Sequence, residues 1–375
     1  MSRHAPRRRA EPRRRRRGRD TAPVPASAPA PAPAPAPEVA SPAAPALSRL
    51  ERFARSRWAF VLWLLVVAVG AAGLLACTFE VGPGWLCCAG AVTVATAYSW
   101  ALAIRTGGRP IVVGLLALVL GLAAVISDED ALRTGAAVLT CVVAAVLGVM
   151  ATVPSVRFLG AVREVVVAVV LAAIGALATV GFEPVVSVVR FEYVTLALAF
   201  VGVFALVYRL GAGLHGLGRR GVLIVLIGSV LLAVTLLYAE LLRRYGTPGL
   251  VGNLLDVVVW SRSNLGAFPR PIETILGVPA LAWGVHMRAR RRQGWWVCAF
   301  GVAATTPVAN ALVNPAVSLS ESALAVTYGA VVGLLIGLVV IRLDLAFTAP
   351  RGKRGRRAEE AGAVRPEPSR TRPLL

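Results

Sequence analysis

The stretch WAFVLWLLVVAVGAAGLLACT, Trp58–Thr78, holds 21 residues without a single charge. A helix rises ~1.5 Å per residue, so about 20 such residues cross a hydrocarbon core ~30 Å thick. The stretch reads as a membrane-crossing helix, and the chain repeats it. Apolar runs of similar length recur at 85–104, 111–126, 134–153, 165–182, 193–208, 221–239, 272–287, 295–313 and 322–341, separated by short polar breaks. The pattern predicts an all-α polytopic membrane protein. Its core is a bundle of about ten transmembrane helices over 58–341, flanked by disordered basic tails at 1–57 and 342–375.

Composition agrees. Of 375 residues, 57% are hydrophobic and 16% charged, against about 45–50% and 25% in soluble domains. That balance excludes an ordinary cytosolic enzyme. The 40 basic residues outnumber the 19 acidic ones, and all but Lys353 are Arg. Their placement sets a direction. With the first tail taken as cytoplasmic, the tails and inner breaks hold 34 basic residues, and the outer breaks hold 6: Arg133, Arg190, Arg243, Arg244, Arg262 and Arg270. Basic residues accumulate on the cytoplasmic side of membrane proteins. The count predicts ten crossings in the plasma membrane with both termini cytoplasmic.

The first tail carries the clusters Arg7–Arg9 and Arg13–Arg17, then Thr21–Ala46, where 9 of 26 residues are Pro. Alternating Ala and Pro favours an extended polyproline chain over a packed core. Nearer the membrane, Arg49, Arg52, Arg55 and Arg57 surround Leu50 and Phe53, a pattern that meets anionic phospholipid headgroups. No aromatic residues interleave the Arg runs, so the partner they predict is lipid rather than nucleic acid. The second tail repeats the theme with RGKRGRR at 351–357.

Packing devices are visible as well. Gly329, Gly333 and Gly337 recur every four residues in the last run, and Gly70 and Gly73 stand in the first. Small residues at that spacing let neighbouring backbones approach closely.

Intramembrane ionisable residues usually mark transport paths or catalysis. Here the acids gather at the outer rim, at Glu80, Asp128, Glu129, Asp130, Glu183, Glu192, Glu240, Asp256, Glu273 and Glu321. That distribution speaks against a proton relay through the membrane and leaves room for a site at the outer interface. The one long outer connection is Ala239–Pro271. Thr247-Pro248 can open a helix there and Gly266 can close it. Val251, Leu254, Leu255 and Val258 form an apolar stripe, with Asn253, Asp256 and Trp260 on the other side. This predicts an interfacial helix near 248–264, with Trp260 at headgroup level and Arg262 and Arg270 able to meet phosphate. It serves either as a lid for an amphiphile or as a plain brace.

The following runs add Glu273 and then Thr306, Asn310 and Asn314 around Pro307, at similar depth if the two runs form a hairpin. Proline frees a backbone carbonyl for other partners. Interhelical hydrogen bonding would explain the Thr and Asn equally well. The candidate substrate-binding residues are therefore Asp256, Trp260, Arg262, Arg270, Glu273, Asn310 and Asn314.

Other signals carry no chemistry. Gly211–Gly216 matches G-x-G-x-x-G but lacks the preceding strand that a dinucleotide site needs. His4, His215 and His286 are too scattered for a metal site, and nothing implies a cofactor. Cys77, Cys87 and Cys88 lie near the outer ends of the first two runs, where a disulfide or simple packing would each fit. Cys141 and Cys298 read as packing.

Three functions follow, and whether the protein is an enzyme stays open. The first is binding or moving an amphiphilic, lipid-like substrate at the outer leaflet. The second is an outer-face enzyme acting on a lipid-linked substrate. In span count, cytoplasmic ends and the long seventh-to-eighth outer loop, the topology is similar to that of the bacterial cell-wall glycan polymerases of the shape, elongation, division and sporulation family. That family uses a loop acid, and Asp256 is the carboxylate within Leu241–Pro271. The third is a non-catalytic scaffold whose basic tails bind anionic lipid or acidic partners.

Overall fold

The structure is a computed structural model and describes residues 56–212, 214–246, 248–290, 294–348 and 367–374. Among these residues there is no strand. The helices are α1 (Arg57–Thr78), α2 (Trp85–Arg105), α3 (Pro110–Ile126), α4 (Asp130–Met150), α5 (Phe158–Gly181) and α6 (Val188–Val207), which runs into a π turn at Tyr208–Ala212. Then come α7 (Leu214–Tyr245), α8 (Pro248–Leu265), a π turn at Ile272–Gly277 leading into α9 (Val278–Arg288), α10 (Gly294–Ala299), α11 (Val302–Val313) and α12 (Leu319–Thr348).

Every apolar run expected from the sequence is helical, but the count of spans differs. Among the described residues, seven helices are long and apolar enough to cross a membrane: α1, α2, α4, α5, α6, the α10–α11 unit and α12. The other three fall short for separate reasons. Helix α3 has 17 residues, or about 25 Å of rise. Within α7 the apolar helix spans Val225–Tyr238 among the described residues, since the side chains at 224 and 239–244 lie outside them. The run 272–287 forms the π turn and α9, 6 and 11 residues long. By length and composition the chain is a multi-pass α-helical membrane protein.

The centre and rim are set by side-chain size. Along Gly294–Val313, 89% of the residues are buried, against 17% for α1 and 28% for α12. The α10–α11 unit is therefore the axis, and α1 and α12 turn leucines and valines outward, including Leu65, Val69, Leu335 and Val339. Two apolar cores share α4, α5 and α11. One gathers the end of α4 (Val149, Met150), the start of α5 (Ala161, Val165), Val203 and Leu281; the other gathers Ala91, Tyr98, Ala144, Ala176 and Phe182. Tyr98 is anchored by donating its hydroxyl to the Leu171 carbonyl at 3.0 Å. Trp63 ties α1 to α2 through its indole N–H and the Ala97 carbonyl, 2.8 Å away.

The glycine stripe of α12 packs as its spacing predicts. A methyl on Gly333 would lie 2.7 Å from Val278 Cβ, and one on Gly337 would lie 3.2 Å from Ala282 Cβ. Gly70 likewise meets Val94 of α2. At the other end of α1 and α2, Cys77 and Cys87 form a disulfide with Cα atoms 5.5 Å apart, and Cys88 stays free. Cys141 and Cys298 are buried, as packing requires.

The tail expectations divide. Arg49, Arg52 and Arg55 lie outside the described residues, and Arg57 begins α1, where the Ser56 hydroxyl accepts the Ala59 N–H at 3.1 Å. The second tail differs from a segment disordered from 342 onward. Helix α12 continues to Thr348, and residues 367–374 lie against the bundle. Charge pairing across the chain orders this segment, and apolar periodicity cannot register that.

Candidate functional site

A helix forms over the predicted range. Helix α8 starts at Pro248 and closes at Gly266, whose φ of +79° belongs to the left-handed region that glycine adopts freely. It is pinned to the start of α12. The Tyr328 hydroxyl donates to the Leu265 carbonyl at 2.9 Å, and Arg262 pairs with Glu321 at 3.1 Å. The Ser261 hydroxyl donates to the Ala267 carbonyl at 2.8 Å and is buried. Val251, Leu254 and Val258 are half-buried along one face; Leu255 departs from that expected stripe and is exposed, as are Asp256, Val259 and Trp260. Both an acid and an amphipathic ring thus stand free on the outer side of α8.

The seven candidate residues fall in three places. Asp256, Trp260 and Arg262 belong to α8. Asn310 points to α6, where its Oδ1 accepts the Thr195 hydroxyl at 3.4 Å; Asn314 ends α11, and its Oδ1 accepts the Ala316 N–H at 3.1 Å. Arg270 is half-buried, and its carbonyl accepts the Thr274 hydroxyl at 2.9 Å. Glu273 sits in the π turn and is fully buried. No hydrogen bond among the described residues joins Glu273 to Asn310 or Asn314.

Glu273 is the unusual member. Neither carboxylate oxygen has a hydrogen-bond donor among the described residues. Arg270, three residues earlier, is a cation whose field reaches it. Gly329 makes room for the carboxyl group, since a methyl there would lie 2.9 Å from Glu273 Cδ. Gly277 closes the same turn against α11, where a methyl would meet the Ala304 nitrogen. π turns inside helices concentrate at functional sites, and a buried carboxyl at membrane depth is costly unless something meets it. Thr306 on α11 is buried with its hydroxyl likewise unpartnered among the described residues.

Two apolar cavities share Phe300 in their walls. One of about 380 Å³ lies between α6, α7 and Phe300, lined by Tyr193, Leu196, Phe200, Phe204, Ser229 and Leu236. A second of about 190 Å³ lies on the other side of Phe300, lined by Gly228, Ile275, Pro279, Trp283 and Val340. Gly228 lets α7 sit on the Phe300 ring, where a methyl would lie 2.6 Å from Cζ. A third, about 660 Å³, opens between α1, α2 and α3, around Trp63, Trp100, Val66 and Leu118. It lies away from the candidate residues, so size alone does not make it the site.

A second polar cluster was not foreseen. At the end of the bundle where α2 and α9 stop and α5 begins, Glu164 is 0% exposed, Arg288 1% and Arg105 2%. Glu164 accepts the Val153 N–H at 2.9 Å and pairs with Arg163 and Arg370. The Arg288 guanidinium stacks over Trp295 at 3.5 Å and donates to the Thr152 hydroxyl at 2.7 Å and to Glu367. Two arginines at helix ends read as ordinary topogenic charges. The one available signal was Glu164 itself, a lone acid on a basic side.

Gly211–Gly216 joins α6 to α7 through the π turn with no strand before it; Gly213 lies outside the described residues. Comparison with protein-family models, curated proteins and solved structures finds no match.

Proposed function

We propose that the protein binds or moves an amphiphilic, lipid-like molecule at the outer leaflet, crossing the plasma membrane ten times with both termini cytoplasmic. The carrying observation is Glu273, a fully buried carboxyl with no donor to either oxygen among the described residues, in the same turn as Ile275 and Leu276, which line the apolar cavity of about 190 Å³. A headgroup bearing a hydroxyl or ammonium would meet the carboxyl, while aromatic and aliphatic walls at Phe200, Phe204 and Phe300 receive the chain. The basic-residue count supports ten crossings. So does the position of residues 367–374, at the same end as Arg105 and Arg288.

The test is purification of wild type and Glu273→Gln in the same mild detergent, with co-purified lipids identified by mass spectrometry. A lipid enriched over bulk phospholipid in wild type and lost in the variant is the expected result. Bulk phospholipid alone, in equal proportion in both, overturns the reading.

A second reading rests on α8. Asp256 is exposed, with Trp260 one turn on, an arrangement suited to an acid working on a lipid-linked substrate at the interface. Asp256→Asn would then abolish function at normal abundance and leave lipid retention intact. Under the first reading Asp256→Asn is silent.

A further inference from the structure

We infer that residues 367–374 are a reversible self-ligand, a plug that the chain docks into a charged socket at the end of its own bundle. The socket draws on three helices that lie far apart in sequence. Arg105 ends α2, Glu164 stands in the second turn of α5 and Arg288 ends α9. Thr152, in the link between α4 and α5, binds both arginines through its carbonyl, at 3.5 Å from Arg105 and 3.0 Å from Arg288.

The segment answers each charge in turn. Glu367 takes the Arg288 guanidinium, with Nη2–Oε2 at 2.5 Å and Nε–Oε1 at 3.4 Å. Three residues on, Arg370 donates to both oxygens of Glu164, at 2.8 and 3.0 Å. Between and beyond them, Arg105 donates to the carbonyls of Ser369 at 2.9 Å and Arg372 at 2.8 Å. The Leu374 N–H returns a bond to the Arg105 carbonyl at 2.9 Å, and its side chain packs on the core. The recognised pattern is acid, base three residues later, and an apolar residue four after that.

Burial differs across the contact, and that difference makes docking reversible. The socket charges are almost wholly enclosed, whereas the side chains of Glu367 and Arg370 keep 17% and 30% of their surface. A buried charge that loses its partner is costly, so the socket favours an occupant. The occupant itself can be hydrated on release. Covalent connection then sets the balance. Residues 349–366 supply 18 residues of tether, which reach at most ~65 Å. Short tethers hold their ends at roughly millimolar effective concentration. A contact with a Kd of only ~0.1 mM in trans would thus be about tenfold in favour of docking in cis. The inference is independent of the substrate reading.

Hydrogen exchange on the full chain in detergent tests it. Amides of 367–374 should be protected in wild type. Glu367→Gln with Arg370→Gln, which leaves the bundle untouched, should raise their exchange at least about tenfold and should also speed exchange at Val153, whose N–H rests on Glu164. Excess synthetic peptide of residues 365–375, added to the wild-type chain, should displace the native segment and reproduce its faster exchange. A peptide with both Gln substitutions should not. Full-speed exchange of 367–374 in wild type, unchanged protection in the double variant, or equal action of the two peptides would overturn the inference.

Discussion

Gly277 closes the turn that carries Glu273, and its replacement by Ala gives the sharpest test of how that turn is held. The added methyl would stand 2.2 Å from the Ala304 nitrogen, 2.4 Å from the Ala303 carbonyl carbon and 2.7 Å from Ala304 Cα. Ordinary contact begins near ~3.5 Å, so the π turn and α11 must part by about 1 Å. Backbone atoms cannot rotate away as a side chain would, and both Ala303 and Ala304 are fully buried. Overpacking costs about 1–3 kcal/mol, and this geometry belongs at the upper end. Ala in place of Gly returns about 0.5–1 kcal/mol of backbone entropy. The net is a loss of about 2 kcal/mol, or roughly 4–8 °C in apparent Tm. Gly135→Ala in α4 is the matched control, because nothing lies within 4 Å of a methyl there; it keeps the entropic gain and should rise by roughly 1–3 °C. The assay is thermal unfolding at one scan rate in one detergent. A thiol-reactive fluorogenic dye reports the release of the buried Cys141 and Cys298. Equal midpoints for the two variants would refute the packing argument and free Glu273 from its assigned position.

Three further outcomes are expected. Peptide mapping without reductant should find Cys77 joined to Cys87 and Cys88 open to alkylation; a Cys77→Ser variant should lose at most about 3 kcal/mol, the loop-closure value for a link this short. Tyr328→Phe removes the hydroxyl bond to Leu265 and should cost about 1 kcal/mol, read as faster amide exchange confined to α8 and the residues just after it. A reporter enzyme fused after Leu375 should be active in the cytoplasmic form only, and periplasmic activity would reverse the orientation.

The helices were legible because apolar length is a local property. Runs read at 85–104 and 111–126 appear as Trp85–Arg105 and Pro110–Ile126. Helix α8 was legible for the same reason, through its Thr-Pro opening and Gly266 stop. Where charge enters a helix, the local reading fails. The run at 165–182 in fact begins at Phe158, because Glu164 is accommodated by Arg370, 206 residues away in sequence. Asn310 shows a subtler limit. Spacing places Asn310 near the depth of Glu273, but helical phase within α11 turns it to Thr195 on α6, and phase relative to a neighbour is a tertiary fact. The π turn at 272–277 was illegible too: it forms where Gly277 and Gly329 let two backbones crowd the segment, a condition set by partners rather than by its own residues.

The docked segment also bears on the number of crossings. Leu374 and Arg372 bond to Arg105, so 367–374 lies at the end of the bundle where α2 finishes. The sequence 349–366 includes Arg351, Lys353, Arg354, Arg356, Arg357 and Arg365, and charges at that density are costly in hydrocarbon. The chain between Arg105 and Thr348 must then cross an even number of times. Only five of the seven long apolar helices follow α2, namely α4, α5, α6, the α10–α11 unit and α12. Five is odd. An odd number of the remaining segments, α3, α7 and 272–288, has to cross with them: one of the three, or all three. Short connections argue for all three, because α3 leaves Arg105 after four residues and reaches α4 after three more, too few to return along the bundle if α3 did not itself cross. The same is proposed for 272–288, whose Gly277 is wedged against the middle of the α10–α11 unit, itself a candidate span. With α3 and 272–288 crossing, evenness requires α7 as well, which is the ten-crossing arrangement proposed above.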